Sequence, residues 1–191
     1  MTRKKNISIL ISGRGSNMSA LIEAAKAPDY PARIVGVISN NPNAPGLKTA
    51  QRQNIPTAIH QLKSHASKSA ADAAISQTLR AWQTDIICLA GFMRILSDEF
   101  ASDWKNKLIN IHPSLLPKYK GLNTHQRALE AGDKIHGCTV HHVVAELDAG
   151  PNILQHQVPI LPGDTIESLQ KRVLIAEHQL YPSALALIAA Q

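Results

Sequence analysis

The chain is 191 residues long, 44% of its residues are hydrophobic, and its formal net charge is +6 at pH 7. This length suits one domain with a sizeable core, and the composition excludes a disordered chain. No apolar run approaches the length of a membrane span, so we expect no membrane partner. The basic residues are scattered and aromatic residues make up only 4%, which favours small anionic substrates over nucleic acid.

The chain has two cysteines, Cys88 and Cys138, which give neither a disulfide framework nor a paired metal spacing. Both fit the role of small buried hydrophobic residues. The apolar run after the basic N-terminus is too short for a secretion signal, and Gly13 interrupts it. We therefore predict a cytoplasmic protein.

Apolar runs alternate with helix-like segments throughout the first half of the chain. The predicted strands are 7–12, 34–39, 56–59 and 85–90, and the predicted helices are 16–26, 46–53 and 67–82. Because the runs are continuously apolar, they predict strands buried on both faces, as in a parallel sheet. Ser67 is the expected cap of the third helix.

The first predicted strand leads directly into a glycine-rich turn, SGRGSN at 12–17. Gly13 and Gly15 let the backbone approach a ligand closely, and the start of the following helix attracts an anion. Ser16 and Asn17 add side-chain donors. The spacing lacks the third glycine of a dinucleotide site and the lysine of a P-loop, so a monophosphate fits better than a pyrophosphate. The same residues also suit an ordinary tight turn.

A short helix at about 97–104 precedes another apolar strand that begins at Leu108 and stops before Pro113. Asn110 and His112 are two positions apart, so a strand places both side chains on one face. Polar groups at the end of a buried strand are either satisfied locally or face a cavity. Capping or turn formation is the alternative to catalysis for each of them.

The second half changes to alternating runs, at 138–146 and 153–161, joined by a DAGP turn. This pattern predicts an antiparallel pair of strands. Asp148 in the turn is expected to orient the imidazole of His112 or to hold it charged. A final helix at about 165–189 begins with Asp164 or Thr165 as its cap.

These elements predict an α/β fold, a doubly wound and mostly parallel sheet with an antiparallel C-terminal edge. We find no internal repeat and no linker, which predicts a single domain over 1–191. In an open α/β sheet, ligands bind beyond the carboxyl ends of the strands, where the glycine-rich turn and the Asn110 and His112 pair both lie. We therefore expect one cleft that holds a phosphate and the reacting centre.

Five segments, in order, closely resemble the phosphoribosylglycinamide formyltransferase family, the folate-dependent enzymes of purine synthesis. They are ISGRGSN, LAGFMRIL, NIHPSLLPKYKG, HGCTVH and ELDAGP, and the resemblance covers nearly the whole chain. It implies a Rossmann-like formyltransferase domain with a phosphate-binding half at 1–100 and a folate-binding and catalytic half at 101–191. It also implies transfer of the formyl group of 10-formyltetrahydrofolate to the amine of 5'-phosphoribosylglycinamide, without a metal, by a monomer or homodimer.

The resemblance assigns a role to each site residue. It implies catalysis by Asn110, His112 and Asp148. Substrate phosphate and ribose binding falls to Gly13, Gly15, Ser16 and Asn17, with Glu177 on the glycinamide amine. Folate binding falls to Lys68, Met93, Arg94, Ile95, Leu96 and Asn110. Two departures stand out: Arg14 occupies a loop position where close bacterial relatives often have Asn, and Lys68 stands where some relatives have Arg, which keeps the charge but not bidentate geometry.

Three alternatives remain open from the residues. A zinc site is disfavoured, since His141 and His142 are adjacent on a predicted strand and point to opposite faces. A nucleotide- or RNA-binding module would bind with strong salt dependence and would tolerate substitution of Asn110 or His112. Hydrolysis of the formylfolate to formate is the nearest enzymatic alternative.

Overall fold

The computed structural model describes residues 3–191 of the chain. The elements, in chain order, are β1 (Lys5–Ile11), α1 (Ser16–Ala24), β2 (Ala32–Ser39), α2 (Pro45–Arg52), β3 (Thr57–Ile59), α3 (Lys68–Ala81), β4 (Ile86–Leu89), α4 (Asp98–Asp103), β5 (Leu108–His112), α5 (Thr124–Glu130), β6 (Ile135–His142), β7 (Asn152–Pro159) and α6 (Ile166–Ala189), with a turn of 3-10 helix at Leu62–Ser64.

The strands form one seven-stranded sheet in the order β3-β2-β1-β4-β5-β6-β7. The first five strands in that order are parallel, whereas β6 and β7 pair antiparallel to their neighbours. The chain starts near the middle of the sheet, moves outward to β3, and returns through β4 to the other edge. The predicted doubly wound sheet with an antiparallel C-terminal edge is confirmed.

The alternation of side chains along β1 divides the core into two layers. Ile7, Ile9 and Ile11 belong to a cluster with residues of α1, α2 and α6. Leu10 points the other way, into a second cluster with residues of α3 and α4. On that second face the polar Ser8 is satisfied by the hydroxyl of Thr84 at 2.7 Å, so the strand is buried on both faces without an unpaired side chain.

Both predicted helix caps are present. The Ser67 hydroxyl accepts a hydrogen bond from the Ala70 N–H, and Thr165 forms a capping box with Ser168 at the start of α6. Cys88 and Cys138 are free and buried, as predicted. Among the described helices, none is long and apolar enough to span a membrane.

The structure differs from the sequence prediction in two places. Helix α5 was not expected, because seven residues are too few to show a helical period and its N-cap, Asn123, makes no side-chain bond. Strand β6 begins and ends earlier than the predicted 138–146, so loop 143–151 replaces the predicted tight turn. The early start depends on Gly137, where an added Cβ would lie 2.0 Å from the carbonyl oxygen of His156 on β7.

Candidate active site

Three connecting segments start at the same rim of the sheet, where the carboxyl ends of the parallel strands lie. Strands β1, β4 and β5 are parallel, so their carboxyl ends meet at one rim. The glycine-rich loop leaves β1 there, segment 91–97 leaves β4, and Asn110 and His112 lie at the end of β5. The three connections that were predicted to carry the site therefore start at one rim of the sheet.

The glycine-rich loop is held in a conformation that leaves the first turn of α1 open. Gly15 is the N-cap residue with φ of 70°, and no side chain caps the helix. The carbonyl of Gly13 accepts a hydrogen bond at 3.1 Å from the N–H of Gly46, which fixes the loop against α2. A Cβ on Gly46 would lie 2.5 Å from the terminal methyl of Ile11 and 3.0 Å from the Gly13 carbonyl oxygen, so this close approach favours glycine. The arrangement suits an anion such as a phosphate.

Asn17, in the first turn of α1, joins the loop to α6. Its amide nitrogen donates a 2.7 Å hydrogen bond to Oε2 of Glu177, a carboxyl that is only 7% exposed. Burial raises the pKa of Glu177, and the bond from Asn17 opposes that rise. The amide oxygen of Asn17 is buried and has no partner among the described residues. Two acceptors close together fit a ligand that donates N–H bonds, such as an amine.

His112 is buried and has polar contacts on both ring nitrogens. Nε2 lies 2.9 Å from the carbonyl oxygen of Tyr119, and Nδ1 lies 3.4 Å from Oδ2 of Asp148. A carbonyl can only accept, so Nε2 carries a proton and donates it to Tyr119. Nδ1 faces the carboxylate of Asp148, the pairing predicted from the sequence.

Asp148 reaches His112 from loop 143–151 in a left-handed conformation with φ of 51°. Its Oδ2 also accepts a 2.9 Å hydrogen bond from the N–H of Gly121, on the loop that follows β5. Gly150 lies so close to His142 that an added Cβ would be 1.8 Å from the His142 carbonyl oxygen. This packing sets the path of the loop and hence the position of the carboxylate.

Sequence reasoning missed the part that His141 plays beside this pair. It lies directly opposite Asn110 in the β5–β6 ladder. Its Nδ1 is 2.9 Å from the His142 carbonyl, so Nδ1 carries the proton and Nε2 accepts a 3.2 Å bond from the Asn110 amide nitrogen. Burial lowers the pKa of His141, and the carboxylate of Asp148, 3.6 Å from Nε2, opposes that shift. His141 therefore orients the Asn110 amide, a role that only the strand register reveals.

Segment 91–97 has alternating exposure although it is neither helix nor strand. Met93 and Ile95 are 71% and 68% exposed, whereas Phe92, Arg94 and Leu96 are partly buried. The Met93 N–H donates a 2.8 Å bond to the hydroxyl of Ser12, at the end of β1. Within residues 3–191, the backbone N–H and C=O groups of 94–96 make no hydrogen bond. The segment thus presents free backbone groups beside an apolar surface.

The remaining predicted residues lie outside these contacts. Lys68 is the first residue of α3 and is exposed, one helical turn before Asp72. Arg14 is exposed and, within residues 3–191, makes no side-chain hydrogen bond or ion pair. Across the same residues there is no group of three or more His, Cys, Asp or Glu side chains arranged to hold a metal ion.

The chain is similar to known proteins over nearly its whole length. A family model described as formyl transferase matches residues 5–185. The chain belongs to the formyl transferase family. It is 47% identical to the phosphoribosylglycinamide formyltransferase of Haemophilus influenzae, an alignment that covers 93% of the chain and 84% of that protein. The crystal structure of phosphoribosylglycinamide formyltransferase from Brucella melitensis superposes with a TM-score of 0.96 at 51% identity, covering 99% of this chain and 97% of that one.

Longer proteins contain a similar stretch. The chain is 49% identical to part of the trifunctional purine biosynthetic protein adenosine-3 of Bos taurus, over 98% of its own length. It spans only 18% of that relative. The resemblance noted in the sequence is confirmed at the level of the family.

Proposed function

We propose that this chain transfers the formyl group of 10-formyltetrahydrofolate to the amine of 5'-phosphoribosylglycinamide. The observation that carries this proposal is the His112–Asp148 pair, 3.4 Å apart, at the rim between an anion-binding loop and a segment with free backbone groups. The two neighbouring surfaces match the two substrates, and the pair lies where they would meet.

The acceptor substrate fits the surface formed by the loop and α6. Its phosphate would bind at Gly13, Gly15 and Ser16, at the open start of α1. Its amine would donate to Glu177 and to the unpartnered amide oxygen of Asn17. A carboxylate on the amine also holds the nucleophile in place without removing its lone pair from reaction.

The formyl donor fits segment 93–96. A pterin ring has both donors and acceptors along its edge, which the free backbone groups of Arg94, Ile95 and Leu96 can pair with. The exposed Met93 and Ile95 side chains supply apolar contact. Lys68 would meet the negatively charged glutamate tail as a point charge.

The chemistry would be direct attack of the amine on the formyl carbon. The oxygen of the resulting tetrahedral species needs donors already aimed at it, and we assign the second N–H of Asn110 and the Nε2–H of His112. The His112 bond now goes to the neutral Tyr119 carbonyl, and exchanging it for an oxyanion strengthens it as charge develops. Asp148 would hold the imidazolium and help pass the amine proton to N10 of the folate.

The test is consumption of 10-formyltetrahydrofolate with and without 5'-phosphoribosylglycinamide, with formate measured in both reactions. We expect consumption that depends on the acceptor and releases almost no formate. Acceptor-independent formate release would instead indicate a hydrolase, and no consumption would leave a binding module.

The same proposal covers the setting of the enzyme. We propose one formyltransferase domain over 1–191, in which 1–100 supplies the phosphate loop and 101–191 supplies the catalytic residues. The sequence-based division gave folate binding to 101–191, but segment 93–96 and Lys68 lie within 1–100, so we assign the donor surface to the first half. We further propose small-molecule partners only, a cytoplasmic location, and a monomer or homodimer.

A further inference from the structure

Asp72 is a buried carboxyl that the proposed chemistry does not use. It lies on α3 and is 3% exposed, on the same helix face as Ile75 and Leu79 of the second core cluster. A carboxylate is rarely buried unless it is paired. Its two oxygens have different partners, and both partners belong to the segment that leaves β4.

One oxygen, Oδ2, accepts a 2.8 Å hydrogen bond from the backbone N–H of Ser97. The other, Oδ1, contacts the guanidinium of Arg94 as an ion pair, with side-chain exposures of 10% for Arg94 and 4% for Asp72. The hydroxyl of Ser97 in turn caps α4 by accepting from the Phe100 N–H. One carboxylate thus holds the segment at two points, three residues apart.

Segment 91–97 depends on such contacts because it is not paired with a neighbouring strand by backbone hydrogen bonds. Its backbone groups at 94–96 are unpaired within residues 3–191. Its other hydrogen bonds are both to Ser12: the Met93 N–H donates to the Ser12 hydroxyl, and the Gly91 carbonyl accepts from the Ser12 N–H. The Arg94 guanidinium lies 5.6 Å from the ring of Phe92 and its nitrogens make no hydrogen bond among the described residues. Asp72 is therefore the counter-charge that keeps Arg94 buried and Met93 and Ile95 turned outward.

We propose that Asp72 is a positioning residue for the formyl donor, acting through Arg94 and the Ser97 N–H on the backbone groups of 94–96. This inference rests on the proposed function. Removing the charge of Asp72 leaves a buried guanidinium without a counter-charge, which is strongly unfavourable. The guanidinium then moves toward solvent and carries the backbone of the segment with it.

The experiment is steady-state kinetics of Asp72→Asn with each substrate varied in turn, together with titration of the variant with tetrahydrofolate. We expect the KM for 10-formyltetrahydrofolate and the Kd for tetrahydrofolate to rise about tenfold or more. Each tenfold rise in Kd corresponds to a loss of about 1.4 kcal/mol of binding free energy. The KM for 5'-phosphoribosylglycinamide should stay within about twofold, because the glycine-rich loop and Glu177 do not contact Asp72.

Asp85 offers a control at the amino end of β4, opposite the rim that carries the proposed site. Its Oδ1 pairs with Arg3 at 2.8 Å and its Oδ2 accepts from the Asn6 N–H at 2.7 Å, the same combination of an arginine and a backbone amide. We expect Asp85→Asn to leave both KM values unchanged. An unchanged donor KM in Asp72→Asn, or an equal rise in both KM values, would overturn the positioning role.

A double variant keeps the test decisive if Asp72→Asn does not fold. Asp72→Asn with Arg94→Gln removes both charges, so no guanidinium is stranded in the core. The double variant still lacks the ion pair that anchors residue 94, so the donor KM should rise while the acceptor KM does not. An equal change of the donor KM and the acceptor KM in this variant, relative to wild type, would contradict the inference. Absence of transfer by the wild-type protein contradicts the proposed function instead, whereas wild-type transfer with an unchanged donor KM in the variants contradicts only the role of Asp72.

Discussion

Replacing Asp148 with Asn tests the electrostatic part of the mechanism with little change of shape. The amide oxygen can still accept the bond from the Gly121 N–H, so loop 143–151 keeps that contact. At the observed 3.4 Å, an imidazolium and a carboxylate attract each other by about 5 kcal/mol at an effective dielectric of about 20. General acid–base catalysis contributes about 100- to 10,000-fold. We therefore expect kcat to fall by about that range while both KM values change little.

The assay is single-turnover formyl transfer with enzyme in excess, which separates chemistry from substrate binding. Asp164→Asn is the control, because Asp164 is also a carboxylate paired with an arginine, Arg172 at 2.7 Å, but lies at the start of α6. It should lose stability and keep its rate of transfer. A rate for Asp148→Asn within about threefold of wild type would refute the role assigned to its charge.

Three further predictions concern buried groups and the loop. Glu177→Gln should raise the KM for 5'-phosphoribosylglycinamide about tenfold or more. Burial raises the folded-state pKa of Glu177, so the stabilising contribution of the neutral carboxyl is lost as the pH rises through that pKa. The variant should therefore also melt at a higher temperature than wild type at pH 8, and a lower melting temperature would contradict this. Burial lowers the pKa of His136 from 6.5 to about 4, so the contribution of His136 to the free energy of unfolding should fall by about 3 kcal/mol between pH 6.5 and pH 4. In urea unfolding, His136→Gln should therefore lose less of its free energy of unfolding over this pH range than wild type. An equal loss in the two proteins would contradict this. Gly150→Ala should displace the loop at the His142 carbonyl and slow transfer about 100-fold or more in a folded protein, and wild-type turnover would contradict that.

The fold was largely predictable because burial dominates it. The apolar runs of the first half mark strands covered on both faces, and the clusters on the two sides of β1 show why Ile9, Leu10 and Ile11 are all apolar. The same reasoning missed α5, whose start depends on a tertiary contact, the 2.7 Å bond from the Thr124 hydroxyl to the Pro113 carbonyl. A contact between distant segments leaves no local period in the sequence.

The site was predictable only where one strand or one loop carries it. Asn110 and His112 share a face by spacing alone, and Asp148 lies in a turn after an apolar run, which predicts the contact with His112 that the structure contains. The role of His141 beside Asn110 could not be predicted, because it requires the register of β5 against β6. Asp72 is the clearest case, since a carboxyl in the middle of a helix has no local feature that distinguishes it from a solvated one.

The most direct test of the central claim is to locate the label after one turnover of 10-formyltetrahydrofolate carrying carbon-13 in its formyl group. We predict that NMR will show the label on the amine of 5'-phosphoribosylglycinamide with wild-type protein, and that transfer will be about 100- to 1,000-fold slower with Asn110→Ala, which removes one oxyanion donor. Label found in formate, or an unchanged rate in the variant, would contradict the assignment of this cleft to formyl transfer.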